Sequence, residues 1–233
     1  MSIRKFCILG ERCSGTHFLQ NAIQSNFAGL EYDRKTKHFF GHHDDTDYVN
    51  ADETLYIGIV RDAVSWLDSL YHQPHHVAPS LTKSWKNFLT NSWHSIIDFD
   101  ETRLGQELME DRCIGSMEPY RDVFALRRQK CAYLLDVLPT LVPHCMLVCY
   151  EDLRDQYGLV LSSMQKRFGL RLYPEVELKG EWRRVLHYKD QIKETFRVRE
   201  VTMPEEWRDW VYDHVDKEQE MRMGYKGLKT RNL

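Results

Sequence analysis

Two stretches of this chain combine residue types at spacings that can hold phosphate. Gly10-Glu11-Arg12-Cys13-Ser14-Gly15-Thr16 sits between an apolar run and an amphipathic one. Strand, glycine loop and helix in that order form a phosphate cradle. The glycines permit the tight turn, and the helix start presents N–H groups and the positive end of its dipole. In the second stretch, Ile57-Gly58-Ile59-Val60-Arg61-Asp62, Arg61 ends an apolar run and Ser69 follows eight residues later. That separation is about two helical turns, so a guanidinium fork and a hydroxyl are offered to a second, separate phosphate. The plainer alternative pairs Arg61 with Asp62 and leaves Ser69 on a helix surface.

What the loop lacks narrows the chemistry. A P-loop nucleotide hydrolase needs Gly-Lys-[Ser/Thr], with the lysine on the outer phosphates and the hydroxyl on Mg²⁺. Here Thr16 and His17 follow Gly15. ATP or GTP hydrolysis is therefore disfavoured, although the fold can be shared.

These residues need a scaffold, and the hydrophobic pattern supplies one. Ile3–Leu9, Lys37–Phe40, Leu55–Val60 and His144–Tyr150 read as strands. Thr16–Phe27, Ala63–Tyr71, Tyr120–Leu138, about Leu153–Phe168 and Pro204–Met223 read as helices, with Pro139 and Pro143 breaking the chain after the third. Alternating strands and helices imply an α/β fold: a three-layer sandwich around a central, mostly parallel sheet, of the P-loop NTPase type. Residues 72–118, rich in His, Trp, Ser and Asp, break the rhythm and read as a helical or loop insertion. Such insertions overhang the carboxyl ends of the strands, where ligands bind. We expect one domain over residues 1–233.

At this point the chain resembles the PAPS-dependent sulfotransferases. Gly10–Leu19 is similar to their 5′-phosphosulfate loop and Val60–Tyr71 to their 3′-phosphate segment, with Arg61 and Ser69 at the family spacing. Val148–Leu153 is similar to their YEDL strand end, and Met223-Gly224-Tyr225 to the Gly-Tyr that closes their last helix. The resemblance implies that Ser14, Gly15, Thr16 and His17 cradle the 5′-phosphosulfate of 3′-phosphoadenosine 5′-phosphosulfate (PAPS). It further implies that Arg61 and Ser69 bind the 3′-phosphate and that Tyr150 lies near the adenine. The reaction would be in-line transfer of the sulfuryl group to an acceptor, releasing PAP, with no metal expected.

Charge builds on the leaving phosphate oxygen, so a cation must be aimed there. Many relatives carry a lysine where this chain has Cys13. Arg12 beside it, or Lys37, would supply the charge. Cys13 is expected to be a small loop residue rather than a nucleophile. Cytosolic relatives place a lysine and a histidine together at the second strand, which Lys37-His38 resembles, so His38 is the expected base. His42, His43 and Asp44 stand as substitutes.

Other polar residues are read more plainly. His72, His75 and His76, with Asp62 and Asp68, do not follow a zinc signature and are expected to line an acceptor cleft or a loop. Trp85 and Trp93 are expected in the core, with Trp66 open. Glu151 and Asp152 read as helix caps, and the charged repeat Glu205–Arg222 as a solvated helix face. Arg183 and Arg184 are poorly matched candidates for the 3′-phosphate.

Composition excludes several classes. With 32 Lys+Arg against 35 Asp+Glu the net charge is −3, which leaves no general basic footprint for nucleic acid or anionic membranes. No apolar stretch reaches membrane-span length, and Met1–Leu9 lacks the features of a signal peptide. Six cysteines without a CxxC pair suggest free thiols and a cytoplasmic setting. The expected partner is a small-molecule or glycan acceptor. The competing classes are a small-molecule or nucleoside kinase and a non-catalytic PAP-binding module.

Overall fold

The computed structural model describes residues 2–34, 37–39, 48, 50–173, 186–188, 191–193 and 200–225. Four parallel strands form the central sheet: β1 (Lys5–Gly10), β2 (Glu31–Tyr32), β3 (Thr54–Val60) and β4 (Cys145–Cys149), in the spatial order β2-β1-β3-β4. Every residue of β3 is buried, as befits a parallel strand covered on both faces. Side chains alternate between those faces with period two. Phe6, Ile8, Ile57 and Ile59 pack beneath α1 (Thr16–Asn26), against Phe18, Leu19 and Ile23. Cys7, Leu9, Tyr56 and Val60 face the other way, against Tyr133, Leu134 and Leu138. The chain is thus α/β with helices on both sides of the sheet.

The strand order fixes where a ligand can sit. From β1 the chain moves outward to β2, then returns across β1 to place β3 on its other side. The carboxyl ends of β1 and β3 therefore diverge at a topological switch point, the usual crevice of open α/β sheets. Residues 10–15 leave β1 there, and Arg61 leaves β3 there.

Several boundaries differ from the sequence reading. The second strand lies at Glu31–Tyr32, whereas Lys37 and His38 form a turn tied to β1 by the Gly10 N–H donating to the Lys37 carbonyl at 2.8 Å. Pro139 does not end its helix. The α4 helix (Val123–Ala132) continues through a π-type turn at Tyr133–Val137 into α5 (Leu138–Leu141). The wider turn accommodates a proline that has no N–H and crowds the carbonyl four residues back. The helix stops at Val142, whose extended backbone suits a residue preceding Pro143. The next helical stretch divides into α6 (Tyr150–Asp155) and α7 (Tyr157–Phe168). The tail likewise divides into α8 (Glu205–His214) and α9 (Lys217–Arg222), because Asp216 caps the second piece by accepting from the Gln219 N–H at 3.0 Å.

Helix α2 (Ala63–His72) follows β3 directly, and α3 (Trp85–Thr90) is the one α-helix among the described residues of 73–118. The rest of that insertion is irregular, with isolated bridges such as Val77 to Ser95 and Trp93 to Tyr120. It has its own apolar support: Leu81, Phe88, Leu89 and Trp93 pack with Trp66, Leu70 and Phe124. A two-stranded antiparallel ribbon, β5 (Leu186–Tyr188) with β6 (Gln191–Lys193), completes the described elements. All six cysteines are free thiols, and only Cys7 and Cys131 are fully buried. Among the described residues no helix is long and apolar enough to cross a membrane.

Candidate functional site

The loop after β1 is shaped by close packing. A Cβ at Gly10 would meet the Ile59 side chain at 2.6 Å. Gly15, at φ +100°, begins α1, and a Cβ there would lie 2.5 Å from the Tyr150 ring. Glycine is the residue these positions accept. Between them Cys13 adopts a left-handed conformation, at φ 62°, which is uncommon for a residue with a Cβ.

Cys13 is the junction of the two candidate stretches. Its carbonyl accepts from Arg61 Nη1 at 3.1 Å, and its thiol lies against the Ser69 hydroxyl. Arg61 and Ser69 therefore both reach the loop after β1. Burial pushes the Cys13 thiol pKa up, outweighing Ser69 and Arg61, so the sulfur stays protonated and is a poor nucleophile.

Arg61 differs from the other interior cations. Arg12 pairs with Glu11 and Asp111, Lys130 with Glu11 and Asp111, and Arg127 with Glu220. No carboxylate among the described residues pairs with Arg61. Its neighbour Asp62 instead caps α2, accepting from the Ser65 N–H at 2.9 Å, which sets aside the Arg61–Asp62 pairing. The guanidinium lies 4.7 Å over the Tyr150 ring, and its buried Nε has no hydrogen-bond partner. Ser14 Oγ is also buried without a partner. Both residues line a small cavity of about 20 Å³ beneath the loop, shared with Glu11, Trp66, Arg127 and Lys130. That is room for one water-sized occupant.

Arg12 is placed differently from the expectation that it faces the donor. Its side chain is 0 % exposed and runs into the insertion. Nη1 donates to Ser95 Oγ at 2.8 Å and Nη2 to Asp111 Oδ2 at 3.1 Å, while the Ser95 hydroxyl donates to the same carboxylate oxygen. Its charge is consumed there. Glu11 and Lys130 complete the cluster, and the cations hold the Glu11 carboxyl far below its ordinary range despite burial. The Trp66 indole donates to the Arg12 carbonyl at 2.8 Å, fixing the loop from the α2 side.

Lys37, the other candidate cation, lies at the start of α1. Its Nζ donates to His17 Nε2 at 2.8 Å, so the ammonium stands beside the start of α1. Burial, and then Lys37 itself, lower the His17 pKa to about 4. His38 is neutral as well, since burial lowers its pKa to about 3. In that form Nδ1–H donates to the Gly10 carbonyl at 2.9 Å, and Nε2 is the basic nitrogen. Thr16 is buried in the first turn of α1, and Tyr150 is buried between Gly15, Arg61 and Phe18. His42, His43, Asp44, Arg183 and Arg184 lie outside the described residues.

The remaining candidates separate. His72 meets Thr202 and Asp68, whereas His76 pairs with Asp98 at 2.8 Å. Trp93 is fully buried, Trp85 stacks on Tyr71 at the edge of the core, and Trp66 is fully buried. The Glu151 carboxylate accepts from its own N–H in the first turn of α6. It reaches across to the Asp62 N–H and the Tyr225 hydroxyl. Sequence reasoning missed Lys130, Asp111 and the Arg127–Glu220 pair. A signal existed for two of them, because Arg127 and Lys130 lie among the buried positions of a helix otherwise read by its apolar residues.

Compared with family models, curated proteins and solved structures, the chain finds no match in any of the three.

Proposed function

We propose that this protein is a sulfotransferase that moves the sulfuryl group of PAPS to an acceptor hydroxyl, carbohydrate hydroxyls being the leading class, and releases PAP. One observation carries the reading. At the switch point of the sheet a partly buried guanidinium, Arg61, has no carboxylate partner among the described residues and is joined through Cys13 to Ser69 and the glycine loop. A cation that no described carboxylate pairs with, beside a helix start, is suited to an anionic ligand.

In this reading Arg61 and Ser69 hold the 3′-phosphate, and Ser14, Gly15, Thr16 and His17 hold the 5′-phosphosulfate. The acceptor oxygen attacks sulfur as the bond from sulfur to the phosphate oxygen breaks, and that electron pair leaves on PAP. His38 Nε2 takes the acceptor's proton. Lys37 places positive charge near the leaving oxygen, the role that Arg12, spent on Asp111, does not fill. The cytoplasmic setting belongs to the same proposal.

Calorimetric titration tests it. Micromolar binding of PAP with weak binding of ATP plus Mg²⁺ is expected. Tight ATP·Mg²⁺ binding indifferent to the 3′-phosphate would replace the proposal with a kinase. PAP binding without turnover on any acceptor would leave a binding module.

A further inference from the structure

The peptide unit that joins Arg61 to Asp62 is gripped from both sides by charged side chains. Its carbonyl accepts from Arg127 Nη2 at 2.9 Å. Its N–H donates to Glu151 Oε1 at 3.1 Å. This peptide enters the N-cap of α2, and the Arg61 side chain hangs beside it. Nothing about a strand end demands two ionic partners, since neutral groups satisfy a peptide at lower desolvation cost.

Each gripping side chain is held in turn by the C-terminal segment. Glu220 accepts from Arg127 Nε at 2.6 Å and from Nη2 at 2.8 Å, in a buried fork. The Tyr225 hydroxyl donates to Glu151 Oε2 at 2.9 Å. Glu220 and Tyr225 are themselves locked together. Gly224, at φ +100°, lets the chain turn back after α9, so the Tyr225 N–H donates to the Glu220 carbonyl at 3.0 Å. The Cys149 thiol, at the end of β4, donates to the Met223 carbonyl at 2.9 Å and seats the same turn against the sheet.

We infer that the turn Glu220–Tyr225 is a clamp that sets the position of Arg61, with Arg127, Glu151, Glu220 and Tyr225 as positioning residues for recognition of a nucleotide 3′-phosphate. The inference rests on the donor reading above. A guanidinium recognises phosphate by paired N–H groups in a fixed plane, so its anchor must not drift. Releasing the clamp acts first on the Arg61 end, because among the described residues none of its four side chains bonds directly to residues 10–16. The clamp therefore governs discrimination between PAP and adenosine 5′-monophosphate, which lacks the 3′-phosphate.

The test compares the binding of those two nucleotides to the full chain and to Glu220→Gln, Tyr225→Phe, Arg61→Ala and each clamp variant combined with Arg61→Ala. The first two changes are conservative in shape, and thermal unfolding checks that they fold. Each is expected to weaken PAP roughly tenfold, the scale of one charge-assisted contact, with the monophosphate unchanged. In the Arg61→Ala background neither adds a further loss. Equal weakening of both nucleotides, or losses that add to Arg61→Ala, would overturn the inference. If the unaltered protein prefers PAP no more than the monophosphate, the donor reading fails and the phosphate consequence goes with it. Hydrogen exchange of the Asp62 amide then judges the clamp alone: faster exchange in Tyr225→Phe supports it, and unchanged exchange removes it.

Discussion

Lys37 Nζ lies 2.8 Å from His17 Nε2, which puts an ammonium from the turn before β3 over the first turn of α1. The loop itself has no cation to offer, because Arg12 faces Asp111 and residue 13 is a cysteine. If the charge that meets the leaving phosphate oxygen comes from Lys37, Lys37→Met should lower kcat about 100-fold, the scale of one transition-state donor. PAP affinity should fall far less. Steady-state turnover with PAPS checks this, and a normal kcat would take Lys37 out of the reaction.

Arg61→Ala removes the cation that has no carboxylate among the described residues and its stacking over Tyr150. Donor binding should weaken by about 1.5–3 kcal/mol, the value of a charge-assisted hydrogen bond. Calorimetry with PAP reads that loss directly. Unchanged affinity would separate Arg61 from the 3′-phosphate.

The two halves of this site were unequally legible. Gly10–Gly15 and the Arg61/Ser69 spacing are local patterns, and the topology brings them together because the switch point between β1 and β3 follows from strand order. The placement of Arg12 was not legible. Its partners Ser95 and Asp111 come from an irregular insertion far along the chain, and no periodicity announces such contacts. Lys37–Phe40 carried a strand-like composition, yet the strand on the outer side of β1 is Glu31–Tyr32, in register with Lys5 and Phe6. Pro139 shows the same limit, since a π-type turn absorbs a residue that local rules treat as a stop.

His38 couples the site to acid. Burial holds its folded pKa near 3, while an unfolded histidine titrates near 6.5. As pH falls below about 6.5 the unfolded chain takes up a proton that the native chain refuses, so stability declines until the folded pKa is reached. His17 is shifted the same way, but it is exposed and adds little. The melting temperature should therefore drop between pH 7 and pH 5, by roughly 2–4 °C for each 1 kcal/mol lost in a chain of this size. His38→Gln should flatten that slope and suppress kcat while sparing PAP binding. An unaltered slope would show that His38 protonates freely in the native state, and normal turnover would move the base to His42 or His43.

Cys13 is the position where a covalent sulfo-enzyme would form, and its environment opposes one. Burial raises the thiol pKa, and the sulfur contacts the Gln73 carbonyl at 3.6 Å. Cys13→Ser should leave kcat essentially unchanged, and alkylating reagents should react slowly with the folded protein. A dead serine variant that still binds PAP would reverse the assignment.

The Arg12 cluster predicts where stability, rather than chemistry, is vulnerable. Glu11, Arg12, Asp111 and Lys130 form a closed set of opposite charges in which the Arg12 and Asp111 side chains are 0 % exposed. Removing one member leaves the others charged in a site that water does not reach. Asp111→Ala leaves Arg12 and Lys130, two buried cations, sharing Glu11 alone, and breaking a buried pair costs about 3–5 kcal/mol. The exposed Arg121–Asp122 pair makes the control, because a solvated ion pair contributes about 1 kcal/mol or less and Arg121→Ala spares the helix cap that Asp122 provides. Urea unfolding of the two variants should separate them clearly. Equal midpoints would mean that the interior near Asp111 relaxes enough to admit water, and the cluster would then carry no special role in holding the loop to the insertion.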